Sequence, residues 1–335
     1  MIRAAWLDGL NRVRRAPALL AGVFILTLIT AMPLAMVMRG AIAAHLGRSL
    51  AAGAAADGVN YDWWQEFMSQ ASGLDATFTP AVIGFAATLD SLSSVADARA
   101  LATPVAAALA IYLLVWLFLT GGILDRLARQ RPTRAYGFFA ACGVFFWRFL
   151  RLGVIAGALY WVLFTYVHRW LLDDAYERLI LDVSAERVAF FWRFSLYAVF
   201  GAARVAVNIV MDYAKIRLVV EDRRSAVGAL SAALGFLARH PGRALGVYAL
   251  NSGVFLVLLA VWAIVDPGAG GAGAGMWLAF AATQVYLLSR LALKLQFMAS
   301  QTALFQRSLA HAGYTAAPRP AWPESPAAET IVRGV

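Results

Sequence analysis

Apolar residues in this chain run in long blocks, not in the three- and four-residue rhythm of a soluble amphipathic helix. Six blocks, at 16–38, 104–123, 152–166, 188–211, 244–265 and 276–291, are nearly free of charge. About 20 such residues in a helix cross a hydrocarbon core of about 30 Å. The pattern therefore predicts an all-α polytopic membrane bundle of six transmembrane helices. The third block is short and borrows length from the Phe-rich stretch before it. The fourth carries Arg193 and Arg204.

Shorter amphipathic segments precede some of the blocks. Residues 135–150 gather Phe138, Phe139, Phe145, Phe146 and Phe149, and 225–240 align Val227, Leu230, Leu234 and Leu237. Such helices lie in the headgroup layer with the apolar face down. RLGVIAGALYWVLF at 151–164 parallels RALGVYALNSGVFLV at 243–257, and WLDGLNRVRRAPALLAGVFIL from Trp6 follows the same plan more loosely. Read as a threefold internal repeat, each unit is an in-plane helix, an elbow, an outgoing span and a returning span.

Composition supports a membrane setting. The 335 residues are 61% hydrophobic and 14% charged, whereas a soluble domain is about half apolar and about a quarter charged. Charge then orients the spans. With the N-terminus inside, the inside segments hold 21 Lys or Arg and the outside segments 6, and acidic residues run the other way, 7 against 12. Lys and Arg stay on the cytoplasmic side, so both termini are expected in the cytoplasm. The net charge of +10 reads as this topology signal. It does not read as a nucleic-acid footprint, because the basic residues flank four membrane segments and gather on no single domain. Arginine far outnumbers lysine and alanine is abundant. That bias suggests a GC-rich bacterial genome, hence a bacterial inner membrane. The basic, apolar start reads as an uncleaved first span, since no clean signal-peptide cleavage site follows it.

One transmembrane domain is expected over 1–315, with the outer loop 39–102 as a small helical cap. Within it, NYDWWQEFM at 60–68 reads as an aromatic helix whose Trp63 and Trp64 anchor the outer membrane interface. Residues 79–92 read as a second helix on the bundle. The loop 171–186 is short and acidic, DPGAGGAGAG from Asp266 is a flexible turn, and the Pro-rich 316–335 is a disordered cytoplasmic tail.

Catalytic and metal patterns are absent: the chain has no HExxH, GxSxG, Walker A or CxxC. Gly268, Gly270 and Gly273 match GxGxxG formally but have no βαβ context. His45, His168, His240 and His311 are scattered, and Cys142 is the single cysteine. It reads as a small buried hydrophobe, with juxtamembrane acylation as the alternative. The expected chemistry is thus non-enzymatic, with no cofactor and no metal.

The better lead is polar residues within the spans, because ionisable groups at membrane depth face the bundle interior or a wet cavity. Arg193, Tyr197, Arg204, Asn208, Asp212 and Lys215 fall within an arc of about 100° on one helix face. Thr283, Arg290, Lys294 and Gln301 form a second stripe, and Asn251 lies in the fifth span. Asp212 is expected to pair with Arg290 or Lys294. Two readings compete. In one, the stripes line a groove for an anionic solute or lipid headgroup. In the other, Arg193 snorkels outward, Asp212 and Lys215 sit at the inner interface, and only Arg204 needs a buried partner. Interfacial arginines are commonly structural, which puts the second reading first. Gly153 and Gly157 form a GxxxG helix-packing pair.

MDYAKIRLVVEDRRSAVGALSAALGFLARHPGRALGVYAL at 211–250 joins a returning span, an acidic-basic turn, an amphipathic helix and the next span. This resembles a loose group of bacterial six-span membrane proteins. It is also similar to the membrane domain associated with some glycerophosphodiester phosphodiesterases. The likeness covers about residues 121–310. It implies a lipid-associated helical membrane domain without the enzymatic activity, because the soluble catalytic barrel has no room here and its acidic metal ligands have no counterpart. The sequence therefore points to a non-enzymatic membrane scaffold or accessory subunit that binds lipid. Its expected partners are membrane lipids and other membrane subunits, with no nucleic acid. The alternative is a transporter or channel for a small anionic solute or lipid. That reading uses the polar stripe of the fourth span, but paired broken helices of the carrier type are not matched beyond Pro33.

Overall fold

The computed structural model describes residues 1–47, 49–56, 60–79, 84–268 and 273–309. Gly270 and the expected tail at 316–335 lie outside them. The chain forms α1 (Ile2–Arg14), α2 (Pro17–Leu46), α3 (Ala52–Ala56), α4 (Tyr61–Gln70), α5 (Gly84–Ala96), α6 (Thr103–Arg129) and α7 (Ala135–Val162). It continues with α8 (Tyr176–Ile180), α9 (Glu186–Val220), α10 (Ala226–Arg239), α11 (Pro241–Val265) and α12 (Ala274–Ser308). No strand occurs among the described residues. Among the described residues, six helices are long and apolar enough to cross a membrane: α2, α6, the rod from α7 to α8, α9, α11 and α12. Each predicted span falls on one of them.

Prolines decide where the helices break. Pro17 and Pro241 stand in the first turns of α2 and α11. There a fixed φ suits the helix and the missing N–H has no partner to lose. The expected helix–elbow–span plan therefore appears at α1–α2 and at α10–α11, where Ser225 caps α10 by accepting from the Gly228 N–H at 3.1 Å. It does not appear at Arg151. No proline stands there, and α7 runs through that residue unbroken. The expected in-plane helix over 135–150 is instead the first half of a transmembrane rod. This rod passes through π-helical stretches at Leu163–Val167 and Trp170–Ala175 and ends at Ile180. The part of 171–186 read as loop is thus largely helix. Pro33 leaves α2 uninterrupted.

Buried residues concentrate at one end of the bundle, the basal end. Here the C-terminal halves of α6, α9 and α12 and the first half of α7 meet α1 and α10. Tyr213, Phe145, Phe149, Phe236 and Phe305 are fully enclosed. Toward the distal end the spans carry exposed apolar residues such as Ile29, Met36, Leu113, Val199 and Leu256, as lipid-facing helices do.

The N-terminal helix α1 packs one face against α12 and leaves Arg3, Leu7, Asn11 and Arg14 exposed on the other. Gly9 lets its backbone touch α12. A Cβ on Gly9 would lie 2.6 Å from the Ser300 backbone nitrogen. Arg12 is buried, yet it is satisfied by Asp8 at 3.1 Å, the Leu127 carbonyl at 3.1 Å and Gln306 at 2.7 Å. The Gln296 side-chain amide donates to the Trp6 carbonyl at 2.9 Å. Burial of a charge is tolerated because every direction offers an acceptor.

At the distal end, α4 closes over the tip of α2. Asn60 caps it, accepting from the Trp63 N–H at 2.9 Å. Trp63 is buried, stacks on Phe67 and donates to His45 Nδ1 at 2.9 Å. It therefore holds the cap from within, where the sequence laid it on the membrane interface. Trp64 is half-buried, stacks on Tyr61 and donates to the Phe78 carbonyl at 2.8 Å.

Candidate functional site

The polar stripe of α9 is continuous by spacing but splits in two in space. Its outer members serve the cap. Arg193 is exposed and lies 5.4 Å from the centre of the Tyr176 ring. The Tyr197 hydroxyl donates to Asp97 at 2.7 Å, just past the end of α5. That bond, against a weaker burial effect, holds the Asp97 carboxyl below its usual range.

The inner members turn toward α7, α11 and α12. Asn208 accepts from the Tyr160 hydroxyl of α7 and lies close to the Tyr248 hydroxyl of α11. Arg204 is close enough to both tyrosines to act on them electrostatically. Asp212 accepts from Lys215 at 2.8 Å and from the Gln301 amide of α12 at 3.2 Å. The pairing expected between Asp212 and Arg290 or Lys294 is not formed. Lys215, one turn away on α9, takes the carboxylate instead. Neither Arg204 nor Arg290 makes an ion pair among the described residues.

Lys294 has a different solution. Its ammonium lies 3.4 Å from the centre of the Trp116 ring and 5.5 Å from that of Tyr112, both on α6. These π-faces attract a cation, and Lys294 makes no ion pair among the described residues. It stands within electrostatic range of Lys215, Arg290 and Asp212. Beside it opens a cavity of about 570 Å³ between α2, α6, α11 and α12. Arg290, Lys294, Tyr112, Tyr248 and Ser252 supply its polar groups, and Leu287, Leu291 and Phe297 much of the rest. Tyr248 stands on this wall and near Asn208, so the cavity lies beside the stripe. Two cations, Arg290 and Lys294, thus stand on the cavity wall, while Asp212 is already bound by Lys215. An anion with several acceptor oxygens complements such a site.

Asn251 lies elsewhere. It is fully buried, accepts from the Trp6 indole at 2.9 Å and donates to Ser300 at 2.8 Å, tying α1, α11 and α12 together. Thr283 bonds only the Ala279 carbonyl of its own helix. Of the GxxxG pair, Gly153 faces Leu117 and Gly157 faces nothing. The close crossing is at Gly122 instead, where a Cβ would meet Cys142 Sγ at 2.6 Å. Cys142 is accordingly buried between α6 and α7. Sequence reasoning missed Trp116, Tyr112, Tyr160 and Tyr248, because aromatic residues in a span read as packing or interface. The signal was the lysine: an ammonium among apolar residues needs a partner, and two aromatics stand four apart on one face of α6.

No cluster of three His, Cys, Asp or Glu suited to a metal occurs among the described residues. The chain matches no family profile, no curated protein and no solved structure.

Proposed function

We propose that the protein is a non-enzymatic integral membrane subunit that binds an anionic group in the cavity beside Lys294. The observation that carries this reading is the ammonium on Trp116, held without an ion pair among the described residues, next to an open space with Arg290 on its wall. A cation buried for structure alone would be expected to carry a carboxylate, as Arg12 and Arg217 do at the basal end. The ligand is a phosphate-like or carboxylate anion, either on a lipid headgroup or free. The lipid association implied by the family likeness at 211–250 agrees with the headgroup source. The basal end faces the cytoplasm of a bacterium in this reading, because Arg12, Arg126, Arg129, Arg148, Arg217 and Arg307 gather there.

The test is thermal unfolding of the full chain in neutral detergent, with phosphatidylglycerol or inorganic phosphate added. A ligand that binds only the folded state raises the midpoint. Stabilisation by the lipid alone identifies a headgroup, and stabilisation by phosphate identifies a free anion. The phosphate shift should vanish, and the lipid shift should shrink, in Lys294→Gln with Arg290→Gln. Equal midpoints with and without both probes reject the reading. If phosphate binds, its flux into proteoliposomes and loss of that flux in Arg204→Leu mark a transporter.

A further inference from the structure

A second cavity lies at the basal end and shares no lining residue with the first. It is a slot of about 260 Å³ between α2, α6 and α7. Leu19, Val23 and Leu26 form one wall, with Leu119, Phe138 and Phe139 opposite. At about 260 Å³ the slot is too small for another helix, whose diameter is about 10 Å or more, and its apolar lining suits a hydrocarbon chain.

Arginines flank its lining residues in the chain. Ala16 lines the slot directly after Arg15, and Thr133 and Ala135 line it on either side of Arg134. The Arg126 guanidinium donates to the Arg15 backbone carbonyl at 3.2 Å. This brings the last turn of α6 against the α1–α2 junction. Arg15, Arg126 and Arg134 make no ion pair among the described residues. Asp125, adjacent to Arg126 in the chain, is taken by Arg129 at 2.7 Å. Arg15 and Arg134 are thus chain neighbours of lining residues, Arg126 is tied to the Arg15 backbone, and none of the three pairs with a carboxylate among the described residues.

We infer that this is a site for one anionic phospholipid. An acyl chain fills the slot and the phosphate rests against Arg15, Arg126 and Arg134. The charge complementarity selects the headgroup, as basic pockets between spanning helices do. Arginine forks also match phosphate oxygens in pairs. The lipid would seal α2 against α6 and α7, bridging elements that meet here across a gap.

Native mass spectrometry tests this site apart from the Lys294 cavity. The full chain, in neutral detergent, is mixed with equal amounts of phosphatidylglycerol and phosphatidylcholine of matched chains. We expect a preference for phosphatidylglycerol on the order of tenfold, and the same preference in Lys294→Gln. Gly22 lines the slot, and a Cβ there meets nothing within 4 Å. Gly22→Leu should therefore grow into the slot and expel the lipid without moving backbone. Arg15→Gln with Arg134→Gln, both exposed positions, should equalise the two lipids. Equal retention of both lipids by the unaltered chain would overturn the assignment. So would a preference unchanged by the arginine pair or lost in Lys294→Gln.

Discussion

Lys294 on α12 places its ammonium 3.4 Å from the centre of the Trp116 ring on α6. This contact joins two spans far apart in the chain through a charge and a π-face. It also explains how a lysine is held beside an apolar wall without a carboxylate. A desolvated cation–π pair contributes about 2 kcal/mol. A double-mutant cycle of Lys294→Met and Trp116→Leu, followed by unfolding in detergent, should return a coupling of about 1–2 kcal/mol. Trp116→Phe should retain part of it, since the smaller ring carries a weaker face. Strictly additive single changes would mean that the ring serves only as packing.

Gly9 is required where α1 crosses α12. A methyl at this position would stand 2.6 Å from the Ser300 nitrogen and 2.7 Å from its Cα. Backbone cannot yield there as a side chain can. Gly9→Ala should cost about 1–3 kcal/mol and loosen α1, seen as faster amide exchange over residues 2–14. Gly22→Ala, with open space around its Cβ, is the control and should leave that exchange unchanged.

The six spans were legible because block length and charge exclusion are one-dimensional properties. The helix breaks were legible where Pro17 and Pro241 marked them. They were misread at Arg151, where a repeated Leu-Gly-Val motif suggested an elbow that no proline enforces. At the site, spacing puts Arg204, Asn208, Asp212 and Lys215 on one face of α9. It did not identify which charges pair. Lys215 reaches Asp212 within a turn of its own helix, and a local partner wins over Arg290 or Lys294 on another helix. Asn251 looked like a site residue because burial of an amide in a span is costly. Its partners, Trp6 and Ser300, come from opposite ends of the chain, and no local pattern announces them.

Acid should loosen the α1–α12 junction through Asp8. Burial pushes the Asp8 carboxyl up, but Arg12 and Arg307 together outweigh it and hold the group below its ordinary value of 3.8. A carboxyl with a depressed folded value adds stability that is present above its ordinary range. That stability is lost as pH falls through the folded value. Asp8→Asn should be less stable than the unaltered chain at neutral pH. The gap should close below about pH 3.8, as read by unfolding midpoints across pH. A gap that persists in acid would assign the effect to shape, not charge.

The outer segment is fastened to the bundle at points that can be cut one at a time. Tyr197 holds Asp97, the His168 ring meets the Ala96 carbonyl at 2.7 Å, and Asp266 accepts from the Phe85 N–H. Asp97 also takes Arg99 at 3.1 Å, but that pair is exposed and local, so it contributes little. Tyr197→Phe removes one hydrogen bond to a charged group, worth about 1.5–3 kcal/mol when well buried and less at this exposed position. Amide exchange over residues 84–97 should quicken, while α4 keeps its protection through Trp63 and His45. Because Tyr197 belongs to the cap half of the α9 stripe, anion stabilisation at Lys294 should be unchanged in this variant. Loss of that stabilisation would show that the two halves of the stripe act as one and would favour a gate linking the cap to the cavity.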